Sequence, residues 1–205
     1  MASFDLDSLK QQIPFYLTAE DQKVLLEELK ALSEGTNRGY TLNPSSDQFA
    51  DEMLQGDGWS GFQLFLFETG ERRHVRGLVL SNSCDIDPAN QRDTPARVLF
   101  APLVRLSAFE AVLAAAGIES KRIKTKLEAI RRQKVTNLFY IPAGHHGADE
   151  YVVRFDEAQS MPLTIHADSD RKKLFTLSNT GFYMLVFKLS VHFCRLQERV
   201  ERGFA

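Results

Sequence analysis

The sequence predicts an α+β fold, a small, strongly bent, mostly antiparallel sheet or barrel dressed with helices. Three observations carry this. Short apolar runs bounded by Gly, Pro, Asn and Asp come as a group of three and then a group of two, without the regular strand–helix–strand alternation of a doubly wound parallel sheet. Stretches with apolar residues at helical spacing precede, separate and follow those groups. Phe is abundant, with 15 copies in 205 residues, which points to a core built on aromatic burial.

The elements follow in chain order. "TAEDQKVLLEELKALSEG" (18–35) reads as a helix, capped by Thr18 and stopped by Gly35, with a shorter amphipathic stretch before Pro14. "GTNRGYTLNPSSDQ" is a connector. Residues 61–82 read as a hairpin, "GFQLFLF" and "HVRGLVLSN" joined by "ETGE"; "ARVLFAPLV" (96–104) is a third strand beside the second. Two helices follow, one striped by Phe109, Val112 and Leu113 and ended by Gly117, the other capped by Ser120 with Ile123, Leu127 and Ile130 on one face. "TNLFYIP" and "EYVVRFD" are two more strands joined by "AGHHGAD", and a long helix begins near Ser178. The expected organisation is an N-terminal helical segment, 1–35, and one domain, 36–205, with inserted helices over 107–134 and a C-terminal helix over 178–202.

Composition is that of an ordinary globular protein, 43% hydrophobic and 25% charged, with a net charge of -2. No global field draws it to nucleic acid or membranes. The charge is uneven, however: residues 119–134 hold seven Lys and Arg against Glu119 and Glu128. Two distant cysteines, Cys84 and Cys194, show no metal-ligand spacing. The start has no signal-peptide pattern, and the longest apolar stretch, Phe182 to Phe187, is too short to span a bilayer. A cytoplasmic, reduced setting without membrane, metal or cofactor is expected.

Several residues are candidates for chemistry. Cys84-Asp85, after the second strand, reads either as a nucleophile needing His145 or His146, or as a turn with a buried thiol and an Asx-capping Asp85. Asp85, Asp87 and Asp93 form an acidic loop more easily explained by solvation than by metal binding. Lys121, Arg122, Lys124, Lys126, Arg131 and Arg132 lie on the second inserted helix. They can contact successive phosphates, or serve as a solvated face or a docking surface for an acidic partner. The last helix is apolar over more than half its girth, which predicts burial on two sides, one of them a candidate for a partner chain.

The stretch "GDGWSGFQLFLFETGERRHVRGLVLSNSCDID...ARVLFAPLV" resembles the PemK/MazF group. The counterparts of its motifs are Gly56-Asp57, Arg76-Gly77, Leu80-Ser81-Asn82 and Pro102-Leu103-Val104. The resemblance implies a small SH3-like β-barrel; with the helices read above, the expected fold is α+β, a small mostly antiparallel SH3-like β-barrel with N-terminal, inserted and C-terminal helices, the inserted pair being a departure from that group. The resemblance further implies a homodimeric, metal-independent endoribonuclease, the toxin partner of an antitoxin, with Arg76 in the place of the group's active-site Arg. Val104 falls where that group has Ser or Thr, and Gly77 where it has Pro. A looser set of bacterial proteins on the same barrel is also similar in "SNSCDID", "LFYIP" and "YVVRFDEAQSMP".

Two functions are therefore expected in competition. One is a toxin- or defence-type protein acting on RNA in a groove near residues 82–95, with Arg76 stabilising the transition state and Ser81, Asp85 or His145 supplying acid–base chemistry. The other is a non-catalytic module on the same scaffold that binds a protein or nucleic-acid partner.

Overall fold

The computed structural model describes residues 18–20, 22–24, 26–27, 39–90, 92–167 and 169–193. Residues 19, 20, 22–24, 26 and 27 are helical, as the periodicity predicts. The rest of the expected 1–35 segment, the expected helix beyond residue 193, and Cys194 lie outside the described residues.

The hairpin forms as read. β1 (Gly58–Leu66) and β2 (Glu71–Val79) pair antiparallel, with Phe65 opposite Arg72 and Phe62 opposite Val75. The register shifts between Trp59 and Phe62, where Gly61 takes a left-handed φ of 87°. β3 (Arg97–Arg105) pairs with β2 through Phe100, Ala101 and Pro102. Its C-terminal half then pairs with β5 (Tyr151–Arg154), which also pairs with β4 (Leu138–Ile141). Its N-terminal half pairs with β6 (Gln159–Pro162), which follows β5 after a 3-10 turn at Phe155–Glu157. β7 (Lys173–Phe175) pairs with the start of β1. Among the described residues every ladder is antiparallel, and the order β4-β5-β3-β2-β1-β7, with β6 on β3, is an open seven-stranded sheet. No backbone ladder joins β6 to β1. Instead the Gln159 amide accepts from the Phe65 N–H at 2.9 Å and donates to its carbonyl at 2.8 Å.

Five helices complete the described domain: α1 (Ser83–Ile86), α2 (Leu106–Ala115), α3 (Ser120–Arg131), α4 (Leu163–Ala167) and α5 (Asn179–Phe193). The cap of α3 differs from expectation. Ser120 is its first helical residue, and Glu119 stands at the cap without a side-chain bond. β6, β7, α1 and α4 were not legible as elements, being only three to five residues long.

The core lies in three clusters. One face of β4, β5 and the end of β3 buries Val152, Leu138 and Tyr140 against Leu113, Ile123, Leu127 and Ile130 of α2 and α3. The other face, with Leu78, Leu103, Tyr151 and Val153, packs under Met184, Leu185 and Phe187 of α5. Residues 184–188 of α5 are buried without a break, whereas Phe182, Tyr183, Leu189 and Val191 are half-buried and Phe193 is exposed. A third cluster centres on Phe62 and Phe100, whose rings stack at 4.4 Å. Burying each such side chain contributes about 1.5–3 kcal/mol. Gly77 makes this stack possible, because a Cβ there would come within 2.7 Å of the Phe62 ring and 2.9 Å of the Phe100 ring.

Candidate functional site

Alternation along β2 puts Arg76 on the same face as Leu78, which is buried under α5. Arg76 itself is exposed, and its Nη1 donates to Tyr151 Oη at 3.1 Å. Tyr151 opens β5 directly opposite Arg105, the last residue of β3. Asp149, two residues earlier, completes the group. Its Oδ2 accepts from Arg105 Nε at 2.9 Å and from the Tyr151 hydroxyl at 3.4 Å. The result is a chain, Arg76–Tyr151–Asp149–Arg105, drawn from β2, β3 and the entry to β5, in which the Tyr151 ring is buried and the charged groups around it reach solvent.

His146 backs this chain. Gly144 and Gly147 exchange N–H···O bonds of 3.0 and 2.9 Å, closing a tight turn with the two histidines at its tip. His145 projects into solvent, while the His146 ring packs on Tyr151 and Phe175 at centroid distances of 5.6 and 5.1 Å. His146 Nε2 lies 3.3 Å from the Asp149 carbonyl, which can only accept, so Nε2 carries the proton. Burial holds the imidazole below its ordinary pKa, against the opposing pull of Asp149. The ring is therefore neutral near pH 7, and Nδ1 accepts from the Thr41 hydroxyl at 3.2 Å. Thr41 is only 3% exposed.

The other expected site residues lie elsewhere. Ser81 Oγ accepts from the Leu99 N–H at 2.8 Å and does not join Arg76. Asp85 is exposed on α1. The Asx bonds of this loop belong to Asn82, accepting from the Cys84 N–H at 2.9 Å, and Asp87, accepting from the Ala89 N–H at 2.8 Å. Cys84 is exposed rather than buried, and the apolar anchor of the loop is Ile86. Among the described residues, Asp85, Asp87 and Asp93 form no group of potential metal ligands. A cavity of about 250 Å³ beside this loop is lined by Gln55, Ser83, Thr176, Asn179, Phe49 and Leu42 among others, with no Lys or Arg. Val104 packs toward the α2–α3 cluster, one residue out of phase with Leu103 and Arg105, and so on the face away from Arg76.

The basic helix is divided in its tasks. Arg131 is bidentate to Glu150 at 2.8 and 2.9 Å, and the Tyr140 hydroxyl donates to the same carboxylate. Arg131 holds the Glu150 carboxyl below its ordinary pKa, and burial together with Glu150 raises the Tyr140 phenol. Lys126 lies 5.7 Å over the Phe109 ring. Lys121, Arg122, Lys124 and Arg132 are exposed, with no ion pair among the described residues.

Comparison with protein-family models, curated proteins and solved structures finds no match to the chain. The chemistry must therefore come from the side chains themselves. Two guanidinium groups flank a phenol and a carboxylate at the edge of a covered sheet face, with a neutral imidazole behind. Guanidinium groups in such an array suit the non-bridging oxygens of a phosphate diester, and the phenol–carboxylate pair can hold and pass a proton.

Proposed function

We propose that this protein acts on single-stranded RNA at the Arg76–Tyr151–Asp149–Arg105 group, as a cytoplasmic toxin- or defence-type protein on a PemK/MazF-like barrel. The observation that carries the reading is the 3.1 Å bond from Arg76 to Tyr151 in a group that also holds Asp149 and Arg105. The barrel reading draws support from Gln159, whose amide bonds to the Phe65 backbone where a ladder between β6 and β1 would close the sheet.

In this reading Arg76 and Arg105 neutralise charge as a ribose 2′-oxygen attacks phosphorus. The 2′-hydroxyl proton passes to Asp149, and Tyr151 gives its proton to the departing 5′-oxygen. The products are a cyclic phosphate and a free 5′-hydroxyl. The hydrogen bond between Tyr151 and Asp149 then returns the proton to the phenol. His146 and Thr41 hold the Asp149 backbone and the Tyr151 ring in place. By the same resemblance the protein works as a homodimer held in check by an antitoxin protein. Incubation with a mixed RNA pool tests the proposal: wild type is expected to cut and Arg76→Ala to leave the pool intact. Equal cutting by both would remove Arg76 from the chemistry.

Two observations favour a second reading, a module that binds without cutting. Both nitrogens of His146 are already engaged, and Val104 offers no hydroxyl and faces away. RNA binding with a steep salt dependence and no cleavage would select this reading.

A further inference from the structure

The β1–β2 hairpin carries a surface that extends from Arg76 beyond the group described above. Arg72, His74 and Arg76 alternate onto one face of β2, and all three are exposed. At about 3.4 Å per residue they form a row of cationic and hydrogen-bonding side chains about 14 Å long. Their spacing is close to the step between successive phosphates of an extended single strand. Across the ladder, Gln63 stands opposite His74 and Phe65 opposite Arg72. Phe67 packs edge-on against Phe65, with centroids 4.9 Å apart. These are large apolar groups left in water: Phe65 is 37% exposed and Phe67 80%. The neighbouring Glu71 is on the other face, where it pairs with Arg73 at 3.5 Å. The row therefore ends in an exposed aromatic pair and is free of carboxylates on its own face of β2. A cationic track with stackable rings at its end is the arrangement that holds single-stranded nucleic acid without reading its sequence.

We propose that this hairpin face is the track of the RNA strand. The strand leaves the Arg76 group outward along β2, its phosphates on His74 and Arg72 and a base stacked on Phe67. The inference rests on the RNA reading above, and it places the substrate on the sheet rather than on the basic helix or in the groove beside residues 82–95. Gln63, between the two ends, reaches the base edges.

The test is fluorescence anisotropy with a labelled oligouridylate of about twelve nucleotides, over a range of salt, for wild type, Phe67→Ala, Arg72→Ala and Arg76→Ala. All three substitutions lie on exposed side chains, so folded protein is expected for each. Phe67→Ala should weaken binding by about 5-fold or more with an unchanged salt slope. Arg72→Ala should weaken it and lower the slope by about 0.7. If only Arg76→Ala weakens binding, the track is wrong and the site at Arg76 stands. If Phe67→Ala and Arg72→Ala weaken binding and Arg76→Ala neither weakens it nor stops cleavage of the RNA pool, the track stands and the catalytic reading falls. No binding by wild type overturns both. Ultraviolet crosslinking of the same RNA should place the adduct on residues 63–76; an adduct confined to 120–132 would move the strand to the basic helix and overturn the track.

Discussion

Asp149 and Glu150, adjacent in the chain, send their carboxylates to opposite sides of the sheet. Asp149 meets Arg105 at 2.9 Å, and Glu150 meets Arg131 at 2.8 Å. The two residues lead directly into β5, and their side chains continue its alternation: Asp149 falls on the Tyr151 side and Glu150 on the Val152 side. One dipeptide therefore fixes an arginine of the candidate site on one face and an arginine of the basic helix on the other. The Glu150 carbonyl also accepts from the Leu106 N–H, at the first turn of α2.

Glu150→Gln should uncouple the two sides. It keeps the volume and weakens a charge-assisted bidentate pair that is partly open to water. A stability loss of about 1 kcal/mol is expected by urea titration. RNA affinity should hold, because Asp149 keeps Arg105 and the released Arg131 lies on the side of the sheet away from the track. A fall in affinity as large as that of Arg76→Ala would mean that Glu150 orders the site itself.

Tyr151→Phe separates proton transfer from binding. The ring stays buried with Phe175 and His146, and only the hydroxyl joining Arg76 to Asp149 is lost. Stability should fall by about 1 kcal/mol. Cleavage should drop on the order of 100-fold or more, while RNA affinity changes little. Cleavage at the wild-type rate would show that the phenol donates no proton.

Gly77 is tested by a single methyl group. Gly77→Ala puts a Cβ into the Phe62–Phe100 stack, whose rings are fully buried and cannot swing aside. A loss of about 1–3 kcal/mol is expected from overpacking, seen as a lower midpoint in urea with an unchanged slope. A neutral result would mean that the two rings can part without cost.

How far the sequence revealed this arrangement depends on the range of each signal. The β1–β2 hairpin was legible because Glu68 to Glu71 is local turn chemistry between two apolar runs. β6 and β7 were not, because four and three residues carry no period. Arg76 was legible as a site residue only through resemblance. Its partners Arg105, Asp149 and Tyr151 are brought together by the β3–β5 register, which no local window contains. The histidine pair named a loop but not a ring, because only the Gly144–Gly147 turn decides that His145 faces out and His146 in. The turn reading of Cys84 placed its thiol inside on the average behaviour of cysteine, yet Cys84 is exposed and Ile86 two residues later takes the anchoring role.

Lys188 gives a prediction that does not depend on RNA. In the sequence it interrupts an apolar helix; in the structure it is 2% exposed, and its Nζ donates to the Gln133 carbonyl at 2.9 Å and the Val135 carbonyl at 2.6 Å. The amine thus clamps the segment that leaves α3, next to Gln133, which holds a left-handed φ of 56° and pairs its own side chain with the Tyr140 backbone. Burial lowers the Lys188 pKa from 10.5 to about 8. Below about pH 8 the amine is protonated in both folded and unfolded chains, and the cost of burying the charge is present in full. Between about 8 and 10.5 the folded chain has lost the proton and the unfolded chain keeps it. The unfolded state then binds more protons, so stability from this group rises with pH across that window. The slope is at most about 1.4 kcal/mol per pH unit. Urea titrations of wild type and Lys188→Met at several pH values isolate it, since the groups they share cancel in the difference. Wild type should gain on the variant from about pH 8 upward and not below it. Parallel curves throughout would mean that the two carbonyls hold Lys188 charged, and that the clamp works as an ammonium rather than an amine.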